Sequence, residues 1–533
     1  MKKQLLFFSI LLLLTSCASV EKHNLQITKL HAVADLHDDV DKAYKQLKRH
    51  HPHLYQFTSK EVMDTKFDSL KTAITQPMDS RTFYKKLAVV TKSVGQGHMT
   101  LGLLNLRRTK QERKALIGSK FDVNNLDFDY LDDKLWIVNT RGKDSVLVGS
   151  EVLSIDQKTI PELVALYKKR LVSDGYNTTY YNRVIGKRFL THYAREFGRF
   201  DSIAFRLKTK DSVFTKTYKR LLRSELEKLK KDTTKVDSIK LKTPKKKLTK
   251  AEKKAKKIKY KAKRKHNQKY GYNAARKEYT RNLNFVGKDS SVAVMKIRGF
   301  TNGKYKEFYE ESFAEIDKRQ SKALVIDLRD NFGGRLNEIS YLYGYLTDKD
   351  YVMINPSEVN SRIPYLKQLM SNSTSVTTKI IAGLFSPIIV PLNVFRTSKK
   401  DGKLYYKFKS AKSQEPKPHN YKGPIYVLIN GNSFSASSIL STQLDGNNRA
   451  TFVGEETGGA YNGTVAGIYK TYKLPNSKVR LRIGLMHIDA PFKKQPDGYG
   501  VKPDVEITPT LKDRLENRDP ELQWVLKNIE SKK

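Results

Sequence analysis

The sequence has 533 residues, with 101 Lys and Arg against 55 Asp and Glu and a single cysteine. One cysteine excludes an intrachain disulfide and a zinc site built from several thiolates, so an exported form of the chain would depend on hydrophobic cores for its stability. A chain of this length normally divides into two or three domains with separate cores.

The first residues have the pattern of a secretory signal. Lys2 and Lys3 precede an apolar run from Leu5 to Leu14, and a Leu-Thr-Ser-Cys motif ending at Cys17 closes the segment. The run is too short to remain as a membrane-spanning helix. The motif resembles a bacterial lipobox, whose cysteine becomes the acylated first residue of the mature chain; the alternative is an ordinary signal peptide with an incidental cysteine. We therefore predict lipidation at Cys17 and a lipid-anchored protein of the bacterial cell envelope, on the periplasmic side or in the outer membrane.

The next region is helical in pattern and then rich in strand signals. Apolar residues recur at helical spacing from His37 to about Val94. After Phe121, short alternating runs suit strands. Val146 to Ile155 combines a glycine with two short strands, before a polar turn and a helix from Pro161. This order resembles the middle of a PDZ-like module, which binds extended peptides at a sheet edge; an ordinary β-rich subdomain is the alternative.

A strongly basic segment follows. Residues 228–277 hold 22 Lys or Arg and only three acidic residues, and charge of one sign resists compaction. Its composition predicts a solvated arm or a surface helix. Contact with anionic lipid or lipopolysaccharide headgroups is the functional alternative to a plain linker. Its sparse tyrosines argue against nucleic-acid binding, which usually needs regular stacking groups.

After Asn282 the pattern alternates between strands and helices, which predicts a largely parallel, covered sheet. The predicted elements are strands at Ser291–Ile297, Ala323–Asp327, Pro424–Ile429 and Thr451–Gly454 and a helix at Tyr305–Arg319. Ile380 to Leu392 is strongly apolar but interrupted by prolines, and we expect it to line a cleft or to pack on the core. The predicted domains are a signal peptide (1–16), a tether (17–36), a helical cap (37–105), a PDZ-like β-rich module (106–225), a Lys-rich insertion (226–280), an α/β core (281–515) and a C-terminal helix or tail (516–533).

Two segments of the core carry candidate chemistry. Ser435 follows an apolar strand and precedes a helix, which exposes its hydroxyl near helix N-terminal amides; a Ser-rich helix cap is the alternative. Gly333 and Gly334 end another buried strand, and their missing Cβ atoms would let the backbone approach a substrate. Amides of this turn could hold an oxyanion.

Three segments in this order, IDLRDNFGG (326–334), VLINGNSFSASSI (427–439) and FVGEETGG (452–459), resemble the tail-specific, or C-terminal-processing, serine proteases and their relative, the tricorn core protease. The resemblance covers roughly residues 290–510. It implies an α/β fold with a Clp protease/crotonase-like superhelical core, a serine peptidase activity, and peptide or protein substrates.

One departure from the family pattern changes the expected catalytic base. Typical tail-specific proteases use a Ser–Lys dyad, but here Gly458 and Gly459 are followed by Ala460, which excludes a lysine at this position. A serine hydroxyl without a base is a poor nucleophile. Similarity to the tricorn-like branch implies a histidine from an upstream segment, and His98 in GQGHMTLG matches it. A surface or structural histidine is the alternative.

The same resemblance implies an orienting carboxylate near the end of the domain. Asp497 precedes the Gly-Val-Lys-Pro-Asp turn and is the candidate, with Glu455 and Glu456 as rivals, although an Asp-Gly pair also suits a plain loop.

The sequence therefore predicts an envelope serine endopeptidase that forms an acyl-enzyme. Ser435 attacks, His98 takes its proton, Asp497 fixes the imidazole, and the oxyanion hole consists of Gly333 or Gly334 with Ala436. A catalytically inactive peptide- or partner-binding lipoprotein on the same fold is one competing class, and an electrostatic adhesin dominated by the basic segment is another. We predict no cofactor and no metal, because the sequence has no Walker loop, no His-Glu-x-x-His motif and no dinucleotide fingerprint.

Overall fold

The structure, a computed structural model, describes residues 19–103, 105–210, 212–233, 249–301 and 303–532. The predicted signal peptide and the predicted lipidation site at Cys17 lie outside the described residues, as does part of the Lys-rich insertion, 234–248.

Four amphipathic helices form the N-terminal part. They are α1 (Val20–Thr28), α2 (Val33–His50), α3 (Lys60–Thr72) and α4 (Ser80–Lys92). Side-chain caps at Ser59 and Asp79 start α3 and α4. The apolar faces of α2, α3 and α4 pack together and against Leu481 and Ile483, so these three helices sit on a sheet of the core. The helical prediction is confirmed, and α1 shows that part of the predicted tether is helical.

The β-rich module follows a short strand, β1 (Thr100–Gly102), and a short helix, α5 (Lys110–Ala115). Its elements are β2 (Leu126–Leu131), β3 (Lys134–Thr140), β4 (Glu151–Ile155), β5 (Lys158–Thr159), α6 (Ile160–Lys168), α7 (Thr179–Lys187), α8 (Phe189–Phe197), β6 (Ser202–Lys208) and β7 (Val213–Lys219). The antiparallel sheet has the order β2-β3-β4-β6-β7, with β5 paired to β4. Val146 lies in a single tight turn rather than in a strand. The PDZ-like interpretation remains a prediction.

The described part of the Lys-rich insertion is helical. It comprises α9 (Arg223–Thr233) and α10 (Lys250–Tyr270), followed by the hairpin of β8 (Tyr272–Asn273) and β9 (Glu278–Tyr279). No residue of α10 is buried, and Thr249 and Glu252 form a capping box at its start. This is the surface helix that the composition predicted as one of two alternatives.

A six-stranded sheet forms the centre of the α/β core. Its strands are β10 (Arg281–Val286), β11 (Val292–Ile297), β12 (Ala323–Asp327), β16 (Ile425–Ile429), β17 (Thr451–Gly454) and β20 (Val505–Glu506), and all are parallel except β10. The helices of this region are α11 (Tyr305–Lys318), α12 (Leu336–Tyr343), α16 (Ala436–Gly446), α17 (Leu511–Leu515) and α18 (Pro520–Ser531). The inner strands read as continuous apolar runs because α11, α12 and α16 cover one face of the sheet and α18 the other.

A second sheet connects the N-terminal helices to the core. It contains β13 (Ser357–Val359), β14 (Thr397–Lys400), β15 (Lys403–Tyr406), β18 (Gly463–Lys473) and β19 (Arg480–Asp489). Strand β1 pairs with β19, which brings the loop before β1 to the core.

The helices α13 (Pro364–Leu369), α14 (Val376–Leu384) and α15 (Ser386–Phe395) precede β14. The expectation that Ile380–Leu392 packs on the core is wrong, because most of its apolar side chains face solvent. The alternative, that it lines a cleft, remains a prediction.

Candidate active site

Ser435 lies where β16 passes into α16. Its backbone has φ 61° and ψ −120°, a region that a non-glycine residue rarely adopts, and its side chain does not cap the helix. Such backbone strain persists only where surrounding structure enforces it. The neighbouring Phe434 N–H donates to Asn331 O (3.1 Å), and Ser437 Oγ donates to the same carbonyl (2.8 Å). The loop therefore holds the Ser435 hydroxyl at the end of the sheet.

His98 lies in a turn between α4 and β1, and the structure places its ring beside Ser435. The His98 Nε2 and Ser435 Oγ atoms are 2.9 Å apart, although the residues are 337 positions apart in the sequence. The imidazole stacks on Phe434 and Tyr469, with ring centroids 5.0 and 6.1 Å away. Stacking on these two rings helps to hold the imidazole in its orientation toward Ser435.

The other ring nitrogen contacts a hydroxyl and, through it, a carboxylate. His98 Nδ1 is 3.2 Å from Thr464 Oγ1, and Thr464 Oγ1 donates to Asp174 Oδ1 at 3.2 Å. Since the threonine hydrogen points to the carboxylate, its oxygen accepts from Nδ1–H, which leaves Nε2 as the acceptor for the serine hydroxyl. This polarity suits a base that faces Ser435.

Burial controls the ionisation of both titratable groups. Removal from water, with the nearby cation of Arg482, lowers the pKa of His98 to about 3. Burial raises the pKa of Asp174 to about 6, against hydrogen bonds from the amides of Gly97 and Ala460 and from Thr464 that favour the charged form. At neutral pH the imidazole is therefore neutral and the carboxyl is ionised.

The double-glycine turn lies directly against the serine. A Cβ at Gly333 would lie 2.6 Å from Phe434 O and 2.7 Å from Ala436 N, so the backbones approach as closely as glycine permits. The Gly333 N–H donates to Asn331 Oδ1 (2.9 Å) and is already engaged. Within the described residues, neither Gly334 N–H nor Ala436 N–H donates a hydrogen bond. Of the predicted oxyanion donors, Gly334 and Ala436 are the available pair.

Residues 291–507 match the model of Peptidase family S41. This segment is therefore similar to the peptidase domain of that family. The chain is therefore a serine-type peptidase, as the sequence predicted. No curated protein matches the sequence.

The overall fold also occurs in solved structures. Mature CPAF complexed with lactacystin has a TM-score of 0.59 at 15% identity, over 93% of this chain and 98% of that chain. Mature CPAF alone gives 0.57 at 14%, over 93% and 97%. These similarities establish a shared mixed α/β fold. The tricorn protease matches at a TM-score of 0.37 and 13% identity, over 94% of this chain and 37% of that one, so the tricorn-like branch remains a prediction.

The predicted orienting carboxylate, Asp497, is hydrogen-bonded to groups other than His98. Asp497 Oδ2 accepts from Gln56 Nε2 (2.8 Å), and its Oδ1 accepts from the Gly498 amide (2.7 Å). The pairing of Asp497 with His98 is therefore corrected, because the Nδ1 atom of the imidazole contacts Thr464 instead.

The two rival carboxylates also have other partners. Glu455 binds the buried Arg183 (2.5 Å), and Glu456 accepts from the Gly500 amide (2.6 Å). Neither carboxylate is hydrogen-bonded to His98 in the structure.

The segment Gly458–Ala460 corresponds to the position at which the sequence analysis excludes the lysine of a Ser–Lys dyad. It packs against the loop that carries Ser435. Gly458 N–H donates to Ser433 O (3.0 Å), and Ala460 N–H donates to Asp174 Oδ2 (3.4 Å). In the part of the chain that the structure describes, no group of three or more His, Cys, Asp or Glu could hold a metal ion.

Asp174 and Thr464 are the site residues that sequence reasoning missed. Asp174 stands in a Ser-Asp-Gly turn and Thr464 at the start of a strand, and both patterns are common outside active sites. A buried carboxyl in a predicted loop is the only signal, and burial is visible only in the fold.

Proposed function

We propose that the chain is an envelope endopeptidase that cleaves polypeptides through an acyl-enzyme on Ser435. The observation that carries the proposal is the 2.9 Å contact between His98 Nε2 and Ser435 Oγ, together with a hydrogen-bond chain whose polarity leaves Nε2 as the acceptor. A nucleophile, a base and a group that orients the base constitute the arrangement used in serine hydrolases.

In the proposed reaction, Ser435 Oγ attacks the carbonyl carbon of the scissile peptide while His98 Nε2 takes the hydroxyl proton. The oxyanion of the tetrahedral intermediate accepts from the amides of Gly334 and Ala436. The imidazolium then protonates the leaving amine as the C–N bond breaks. Water attacks the acyl-enzyme with His98 again as base, which releases the carboxylic acid and regenerates Ser435.

Asp174 acts through Thr464 and is a positioning residue in this mechanism. Its negative charge holds the threonine hydroxyl in the orientation that accepts from Nδ1–H, and it stabilises the imidazolium that forms in the transition state. Burial lowers the pKa of His98, so the imidazole alone would be a weak base. The charge of Asp174 is therefore needed to stabilise the imidazolium.

The proposed location rests on the N-terminal sequence. The basic start, the short apolar run and the Leu-Thr-Ser-Cys motif support a lipid anchor at Cys17 on the outer face of a bacterial membrane. In this proposal the basic helix α10 belongs to a solvated linker, and the β-rich module offers a sheet edge to extended substrates.

A fluorophosphonate probe tests the nucleophile. We expect the probe to label Ser435 in the wild type. The label should be absent in Ser435→Ala, and labelling should be much slower in His98→Ala. Ser441→Ala, which removes a buried hydroxyl from α16, the helix that begins directly after Ser435, is the matched control and should label normally. Labelling is measured from about pH 5 to about pH 9 in steps of about one pH unit, which covers the pKa values of histidine and of raised carboxyl groups. Absence of label in the wild type over this whole range would contradict the proposal.

A further inference from the structure

The two helices α14 and α15 form an apolar hairpin, residues 376–395, that projects its side chains into solvent. Phe395 is 88% exposed and Leu384 is 74% exposed. The apolar side chains more than half exposed are those of Val376, Ile380, Ile381, Leu384, Phe385, Ile388, Leu392 and Phe395. A contiguous patch of this kind marks a surface that contacts a partner or a membrane.

The apolar hairpin is bent. No single helix in the described ranges is long and apolar enough to cross a membrane, whereas α14 and α15 together reach that length and composition but meet at 70°. Pro387 begins α15 and Pro391 lies inside it. Two short helices that meet at such an angle are suited to lie in the interface plane of a bilayer rather than to cross the bilayer.

The charges around the apolar hairpin have one sign. From 359 to 400 the sequence contains no Asp or Glu. The basic residues of this stretch are Arg362, Lys367, Lys379, Arg396, Lys399 and Lys400. None of the six forms a salt bridge with a described carboxylate. Unpaired cations that flank an apolar patch complement a surface of anionic lipid headgroups.

The apolar hairpin and the N-terminal helix α1 meet the same end of the core. Asn372, just before α14, exchanges hydrogen bonds with the backbone of Lys473 (2.7 and 2.8 Å). Gln26 of α1 donates to the carbonyl of Asn476 (3.0 Å), three residues further along the turn between β18 and β19. Both contacts lie at the end of β18 and in the turn that follows it, so the segment before the apolar hairpin and the C-terminal part of α1 reach the same end of the second sheet.

We propose that the apolar hairpin inserts into the headgroup and acyl boundary of an anionic bilayer and gives the protein a membrane contact in addition to the lipid anchor proposed at Cys17. Leu384, Phe385 and Ile388 at the bend enter the acyl region, and Arg396, Lys399 and Lys400 meet the headgroups. The contact does not depend on peptidase activity, so it can fail or hold independently of the proposed function.

The test uses the full chain in phosphatidylglycerol–phosphatidylethanolamine vesicles, with a tryptophan introduced by Phe385→Trp. We expect its emission to shift to shorter wavelength and brominated acyl chains to quench it at least twofold more strongly than a tryptophan introduced by Ile258→Trp. Ile258 is a matched control because it is an exposed apolar residue (60%) of the basic helix α10. Wild-type emission supplies the background from the two native tryptophans.

The charge dependence separates the apolar hairpin from the Lys-rich insertion. Arg396→Gln combined with Lys399→Gln and Lys400→Gln should reduce the quenching several-fold, and Lys253→Gln with Lys256→Gln and Lys257→Gln in α10 should leave it unchanged. Equal quenching at positions 385 and 258, or none at 385, would overturn the proposal. So would self-association by sedimentation that Leu384→Ser and Phe385→Ser abolish, because a second copy would then cover the patch.

Discussion

His98 and Asp174 have pKa shifts in opposite directions with one cause. Burial lowers the pKa of the imidazole to about 3 and raises the pKa of the carboxyl to about 6, because each group loses water around its charged form. The imidazole is neutral throughout the range in which the protein would work. The ionisation that changes near neutral pH is that of Asp174.

This difference predicts the acid limb of the pH–rate profile. The orienting charge exists only above about pH 6, so kcat/KM for a peptide substrate should rise with pH through about 6. Asp174→Asn should remove that limb and lower the plateau by about 10²–10⁴-fold. Asp144→Asn, which alters a carboxyl bonded to Lys216 in the β-rich module, should keep the limb. An unchanged limb in Asp174→Asn would contradict the assignment.

Thr464 transmits the effect of that carboxylate to the imidazole. Thr464→Val keeps the shape and removes the hydroxyl, and a hydrogen bond to a charged group is worth about 1.5–3 kcal/mol, so kcat should fall about ten- to hundredfold with little change in KM. Thr464→Ser should restore most of the rate. Thr91→Val, at a buried threonine bonded to a helix carbonyl, is the control for stability. Equal steady-state kinetics in Thr464→Val and the wild type would exclude the relay.

The difference between the predicted and observed site residues has a physical reason. Ser435 and the double-glycine turn are local patterns, and His98 is identified by its resemblance to a family motif, so these residues could be named from the sequence. Asp174 acts across a hydroxyl on a strand 290 residues away, and only the packing of the β-rich module on the core creates that contact. The sequence predicts Asp497 from its position in a motif, but its carboxylate accepts from Gln56.

At the scale of elements, the loop between α4 and β1 sets the position of His98. Gly97 N–H donates to Asp174 Oδ1 (2.7 Å), and a Cβ on Gly97 would lie 2.6 Å from the Phe434 ring. That ring stacks on His98, so a methyl group here would displace both the base and its carboxylate contact.

Gly97→Ala should therefore lower kcat/KM about a hundredfold, the cost expected for a misplacement of about 1 Å in a catalytic group. Gly102→Ala, five residues on in the same segment, is the matched control because the nearest atoms to its Cβ are 3.9 Å away. Thermal unfolding should shift little in either variant. If both substitutions had the same effect on kcat/KM, the tight packing at Gly97 would not matter for catalysis.

The bounds of strands that are covered by protein on both faces could be predicted from the sequence. The surroundings of other apolar segments could not. The strands Ala323–Asp327 and Thr451–Gly454 have the predicted bounds, because a covered parallel sheet needs unbroken apolar runs. The apolar segment Ile380–Leu392 has similar hydropathy but faces solvent. Hydropathy shows that a segment avoids water and does not show whether protein or lipid will cover it.

At the scale of the whole molecule, Arg281 joins the basic helix to the core. Its side chain is fully buried and binds Glu338 (2.7 and 3.2 Å), while it also donates to the carbonyls of Lys269 at the end of α10 and of Thr301. Tyr309 donates to the same carboxylate (3.2 Å). This guanidinium thus joins the end of a long solvated helix to the α/β core, beside the ion pair of Lys269 with Glu311 and the contact of the Tyr270 and Phe308 rings.

Arg281→Met should destabilise the protein by about 3–5 kcal/mol, because it leaves the Glu338 carboxylate buried without its counter-charge. The measurement is the midpoint of urea unfolding. Arg223→Met, which breaks an exposed pair with Glu227, should leave the midpoint unchanged. A small effect of Arg281→Met would show that water or a rearranged side chain replaces the guanidinium.

The most direct test of the central claim is a double-mutant comparison of peptide turnover. Wild type, Ser435→Ala, His98→Ala and the double variant are assayed on an unfolded polypeptide substrate. If Ser435 and His98 act as one unit, each single variant should lose several orders of magnitude in kcat and the double variant should lose no more than the worse single one. Additive losses, or turnover that survives in Ser435→Ala, would contradict the assignment of this pair as the catalytic centre.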